Sequence, residues 1–146
     1  MAHAENEVSI NRPANDVYAF VADGLNNKLW RPTVQSAALA SGEPGTKGAV
    51  YSQSLSGPGG RPIAGDYEIT AAEPNKRLDF QVIAGPARPK GSFTLQESDG
   101  TTILRFALDL QPKGFMKLMG SMITKTMQSE VGQLGALKAV LEKDHA

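Results

Sequence analysis

The chain has 146 residues, 40% of them hydrophobic, a length that suits one domain spanning 1–146 and burying about two thirds of its unfolded surface. Fifteen basic and fifteen acidic side chains cancel, so no net field draws nucleic acid or an anionic membrane by long-range attraction. Cysteine is absent, which removes disulfides, thiolate nucleophiles and most zinc sites together.

Pro13 suits a first helical turn, where its missing N–H is no loss, and Asp16 sits favourably near the positive end of the helix dipole. Val17, Phe20 and Val21 form an apolar stripe about two turns long, which Asp23-Gly24 ends. Leu25, Leu29 and Trp30 suggest a second helical fragment, closed by Pro32. Beyond it the period changes to two. A hairpin is predicted from Ala49–Leu55, the turn Gly57-Pro-Gly-Gly60 and a strand through Asp66–Ala72. Leu78–Ile83, Ser92–Gln96 and Thr102–Leu110 continue an antiparallel meander.

Leu104, Phe106, Leu108 and Leu110 share one face of the last strand, opposite Arg105 and Asp109. Leu78, Phe80 and Val82 oppose Asp79 and Gln81 in the same way, and Phe93 with Leu95 and Tyr67 with Ile69 repeat the rule. The sheet thus needs a cover for one apolar face. The segment from Phe115 to about Lys143 supplies it, with Met119, Ile123, Met127, Val131, Leu134, Leu137 and Leu141 near helical spacing. As a single helix it would run roughly 43 Å. Gly114, Gly120, Gly132 and Gly135 weaken it by up to ~1 kcal/mol for each glycine in the helix interior, so tertiary contact must hold it.

These elements, with Ile10, Pro13, Val17, Phe20, Asp23 and Trp30-Arg-Pro32 at the front and the apolar helix at the back, resemble the START-like, or polyketide cyclase/dehydrase and lipid-transport, superfamily (SRPBCC) across almost the whole chain. The resemblance implies an α+β helix-grip fold: a seven-stranded antiparallel sheet wrapped around a long C-terminal helix, with two short helices after strand 1. Val34–Leu39 would be its second strand. It also implies a cavity between sheet and helix in which members hold lipids, sterols, hormones or polyketides, and it places Trp30 where the short helices meet the terminal one. One scaffold hosts many functions, so the residues must decide among them.

The candidate ligand-binding residues are Trp30, Tyr51, Tyr67, Phe80, Phe93, Phe106, Met119, Ile123 and Met127. Each has a plainer alternative. Trp30 serves packing or ligand contact, large aromatics being commonly buried for area alone. The row Met116, Met119, Met122 and Met127 lines a pliable pocket or fills ordinary core. Tyr51 and Tyr67 present hydroxyls to a cavity or reach solvent at strand ends. Arg105, Asp109, Asp79 and Glu68 alternate with large apolar residues, so they point outward and form cross-strand pairs. His3 and His145 lie near the termini, where chains fray, and neither suits a general base. Gly57–Gly60 does not open a helix and lacks the Lys-Ser/Thr of a phosphate cradle, which leaves it a turn.

The leading expectation is a binder of a small hydrophobic ligand (lipid, polyketide or aromatic compound), with no assigned catalytic residue, metal or cofactor. The alternative is a polyketide cyclase/aromatase or dehydratase in which a Tyr or Arg assists proton transfer. A further alternative is a protein-interaction module without ligand, with a filled interior and an exposed apolar patch. Expected partners are the small molecule and neither nucleic acid nor an integral membrane association; a homodimer stays open. No signal peptide or bilayer-spanning run is expected, so a cytoplasmic location is the default.

Overall fold

The inner face of one long antiparallel sheet organises the molecule. The computed structural model describes residues 2–85, 88–111 and 120–143. The strands are β1 (Ala2–Ile10), β2 (Val34–Ser41), β3 (Val50–Ser56), β4 (Pro62–Ala64), β5 (Tyr67–Glu73), β6 (Arg77–Val82), β7 (Lys90–Ser98) and β8 (Thr101–Leu110). They pair in the order β1-β8-β7-β6-β5-β3-β2, with β4 on β3. Helices α1 (Ala14–Ala22) and α2 (Asn27–Trp30) follow β1, and α3 (Gly120–Val131) and α4 (Leu134–Lys143) close the chain.

The seven expected strands are present, and an eighth is added beyond the Gly57–Gly60 turn. Ser54, Leu55 and Ser56 pair with Ala64, Ile63 and Pro62. The hairpin expected between Ala49–Leu55 and Asp66–Ala72 is therefore reduced to Val50–Glu68 and Tyr51–Tyr67 in register. The short β4 takes the remaining edge of β3.

The period-two assignment of faces agrees with the burial. Leu104, Phe106, Leu108 and Leu110 are buried, as are Leu78, Phe80, Phe93, Leu95, Tyr67 and Ile69. Ile103 and Arg105 face outward. On that outer side Arg105 pairs with Glu5, and Arg77 with Asp79 at 2.8 Å. His3 stands in paired strand rather than in a frayed end: its Nδ1 lies 2.5 Å from Asp109 and its Nε2 3.1 Å from Glu5.

Pro13 occupies the N-cap of α1, one residue before the first helical turn, and has no side chain to offer the exposed N–H groups. Glu97, at the far end of β7, does that job by accepting from the Ala14 N–H at 2.6 Å. Asp23 ends α1 and caps the following 3₁₀ turn through the Leu25 N–H.

The terminal helix is kinked rather than one rod. Gly132 still donates to the Gln128 carbonyl, but Gln133 and Ala136 donate three residues back, to Glu130 and Gln133. This tightened turn restarts the helix as α4. The kink lets α4 bury Leu134, Leu137 and Leu141 against β1 and α2 while α3 keeps Met127 and Val131 on the sheet. Phe115, Met116 and Met119 lie outside the described residues, as does His145.

Glu97→Ala is expected to lower stability by about 1 kcal/mol, the usual worth of a helix N-cap, as read by urea denaturation; an unchanged midpoint would show that α1 needs no cap. The Asp109 and then the Glu5 hydrogen bond hold the His3 imidazolium, raising its pKa above the ordinary 6.5. The charged form is therefore favoured by folding: the contribution is present below about 6.5 and is lost as pH rises through the raised value. NMR titration should place the His3 midpoint above 6.5 and Asp109→Asn should bring it down.

Candidate functional site

Between the inner sheet face and α3 lies a cavity of about 250 Å³. Its apolar wall is built from Phe80, Phe93, Phe106 and Leu108 on the sheet and from Ile123 and Met127 on α3. Three of these aromatics form one cluster: Phe93 stacks on Phe106 with centroids 4.5 Å apart, and Phe80 leans on both. The Phe80 ring lies directly over Gly91 of the neighbouring strand, where a Cβ would come within 2.0 Å of the ring. Only glycine leaves room for that ring to lie flat against the sheet and keep the cavity open. Ala64 and Thr126, both exposed, stand on the rim, so the space communicates with solvent.

One side of the cavity is polar. Asn27 and Arg31, one helical turn apart at α2, line it together with Gln53 and Tyr67 of the sheet and Glu130 of α3. Asn27 Nδ2 donates to Gln53 Oε1 at 3.0 Å and to the Tyr67 hydroxyl at 2.9 Å. All three side chains are buried. Burial pushes the Tyr67 phenol well above its ordinary value of 10.0, against the opposing pull of the Asn27 hydrogen bond, so the group is a protonated donor at any physiological pH.

Arg31 grips Glu130 at 2.9 Å with both side chains largely shielded, 13% and 14% exposed. Thr33 adds a hydroxyl donor to Glu130 Oε1 at 3.0 Å. Shielding strengthens such charge-assisted bonds, and removing either partner would strand the other. This bridge ties the α2–β2 corner to α3 across the mouth of the fold. Among the described residues it also leaves the cavity wall without net charge.

Of the residues singled out from sequence, Tyr67, Phe80, Phe93, Phe106, Ile123 and Met127 line the cavity. Met119 lies outside the described residues. Trp30 and Tyr51 stand behind the wall. Trp30 is 2% exposed and meets Phe93 and Phe106 edge-on, so it buttresses two wall residues. Tyr51 takes neither of the places considered for it: fully buried, it stacks on Tyr67, and its hydroxyl accepts from the Gly45 N–H at 3.1 Å. Burial raises its pKa too. Gly24 brings the 3₁₀ turn onto this tyrosine pair, since a Cβ there would fall 2.2 Å from the Tyr67 hydroxyl.

On the polar side only Tyr67 was singled out from sequence; Asn27, Gln53, Arg31 and Glu130 were missed. Of these four Gln53 alone carried a signal, as it shares the inward face of β3 with Tyr51. Asn27 lies in a four-residue helix too short to show a period, and Arg31 and Glu130 are 99 residues apart.

Comparison with known proteins places this architecture. A START superfamily protein from Mycobacterium smegmatis superposes with a TM-score of 0.79 at 16% identity, covering 98% of this chain and 99% of its own. The Zhui aromatase/cyclase from Streptomyces sp. R1128 gives 0.77 at 14% identity, with 97% and 93% covered. A protein from Thermus thermophilus gives 0.77 at 18%, with 99% of each chain covered. At these identities the likeness concerns the fold alone. No curated protein matches in sequence. Among the described residues no helix is long and apolar enough to cross a membrane. The model of the polyketide cyclase / dehydrase and lipid transport family matches residues 1–142, and the chain belongs to that family.

Proposed function

We propose that this chain binds a small hydrophobic molecule between its sheet and α3. The observation that carries this reading is the solvent-connected apolar cavity framed by Phe80, Phe93, Phe106, Leu108, Ile123 and Met127. A protein of this size ordinarily fills such a space, because side chains that face a void forfeit dispersion contacts. An apolar guest restores those contacts and removes its own surface from water, about 25 cal/mol for each Å². The breadth of the family, which joins cyclases and dehydrases to lipid transport, suits a pocket of this kind. A cytoplasmic setting fits the cysteine-free composition.

The second reading is an enzyme of the aromatase/cyclase or dehydratase kind, supported by the aromatase/cyclase among the solved structures. On this chain it would rely on Tyr67, the one phenol in the wall. Among the described residues no histidine lines the cavity, and Arg31 and Glu130 are committed to each other. Binding therefore asks less of these residues than catalysis does. An interaction module would have a filled interior, and the 250 Å³ space counts against it.

Naphthalene, a neutral apolar probe, should shift NMR resonances of Met127 and Ile123 on titration and should perturb the emission of Trp30 through Phe93 and Phe106. Absence of any shift up to its solubility limit would end the binding proposal. Ile123→Trp, which places a larger ring at a partly buried wall position, should keep the circular dichroism of the fold and weaken naphthalene binding about tenfold or more. Unchanged affinity would mean that the probe binds elsewhere.

A further inference from the structure

The donors and acceptors on the polar side of the cavity specify more than an apolar guest. We infer that the ligand carries a neutral hydroxyl group that seats on Asn27, Gln53 and Tyr67; this rests on the binding reading above. Gln53 donates from Nε2 to the Gly65 carbonyl at 3.4 Å, which sets the sense of its amide and turns Oε1 toward Asn27. Oε1 in turn accepts from Asn27 Nδ2 at 3.0 Å, so the Asn27 amide is oriented as well, and its second hydrogen goes to the Tyr67 oxygen at 2.9 Å.

Three bonding positions are then left over among the described residues. Asn27 Oδ1 has no donor, the Tyr67 proton has no acceptor, and Gln53 Nε2 keeps one hydrogen. All three side chains line the cavity and are at least nine-tenths buried, at 7%, 7% and 5% exposure. None of these atoms is both fully buried and unpartnered, so the open positions keep access to the cavity, where the polar group of a guest can take them. Two donors and one acceptor are the complement of a hydroxyl, with its two lone pairs and one proton.

Other groups fit worse. A ketone or ether oxygen uses the donors and strands Asn27 Oδ1. An ammonium group uses Oδ1 and strands the Tyr67 proton. A carboxylate turns a negative charge toward Oδ1, and Arg31, the cation among the described lining residues, is already held by Glu130, which Thr33 also binds.

The cavity sets the size of the rest. An apolar cavity of about 150 Å³ admits one benzene ring, so about 250 Å³ shelters close to two fused rings of the skeleton, and the space opens to solvent beyond Ala64 and Thr126. The ligand class is thus a compact alicyclic or aromatic alcohol, uncharged at neutral pH.

The test titrates the full chain with 2-naphthol, naphthalene, 2-methoxynaphthalene and 2-naphthoate by NMR, following the resonances of Met127 and of the Asn27 and Gln53 side-chain amides. The expected result is 2-naphthol binding roughly tenfold tighter than naphthalene or the methyl ether, with both amides shifting. In Tyr67→Phe the ratio of 2-naphthol to naphthalene affinity should fall below about threefold. Equal affinities of 2-naphthol, naphthalene and the ether would overturn the hydroxyl assignment and leave the cavity reading standing. Tightest binding of 2-naphthoate would overturn it in favour of an anion site. Failure of all four probes would overturn both readings. The wild-type series decides the matter even where the variant does not fold.

Discussion

A residue period of two, repeated in neighbouring strands, is the constraint on which this molecule rests. It commits Tyr67, Ile69, Leu78, Phe80, Phe93, Leu95 and the even-numbered residues of β8 to one side of the sheet. Once those side chains share a face, something apolar must cover it, because so much exposed hydrocarbon is incompatible with a stable monomer in water. The terminal helices provide the cover, but rings as large as Phe80, Phe93 and Phe106 hold α3 off the strands, and the space under it is not closed. The cavity is a consequence of bulky side chains on the sheet meeting a helix that is buried against it at Met127 and Val131.

Small residues at two places keep this arrangement feasible. Gly91 lets Phe80 lie flat and Gly24 lets the 3₁₀ turn rest on Tyr67 and Tyr51. The aromatic network then runs without interruption from Tyr51 through Tyr67 and Phe80 to Phe93, Phe106 and Trp30. Such contacts are directional as well as apolar, which makes the wall stiffer than an aliphatic one. The polar side adds a second kind of order. Burying Asn27 and Gln53 costs free energy unless their amides are paired, and the chain of bonds through Gly65, Gln53, Asn27 and Tyr67 leaves no fully buried atom of theirs without a partner. The Arg31–Glu130 bridge, by contrast, is complete in itself and serves to hold α3 against the α2–β2 corner.

How much of the site could be read in advance follows from these two kinds of order. Phe80, Phe93, Phe106 and Tyr67 were legible because alternation is a local property of the chain. Ile123 and Met127 were legible because a helical stripe is local too. Trp30 and Tyr51 share those patterns and yet stand one layer back, since periodicity tells which way a side chain points and not how many neighbours intervene. Tyr51 faces inward like Tyr67 but is covered by the turn that Gly24 brings over it. The kink at Gly132–Gln133 was foreshadowed by a glycine penalty, though its position depends on where α4 finds α2 and β1.

By itself the sequence determined the class of architecture, its inward and outward faces and the aromatic character of the interior, because each of these depends on residues within a few positions of one another. The tertiary structure alone decided that Asn27 meets Gln53 and Tyr67, that Arg31 meets Glu130, and that a third short strand-edge contact is taken by Pro62–Ala64. The Asn27 and Arg31 meetings join parts of the chain tens of residues apart, and polar pairing over such distances leaves no periodic trace. Hydrophobic patterning is encoded residue by residue, whereas hydrogen-bond complementarity exists only after the backbone has brought its partners within about 3 Å.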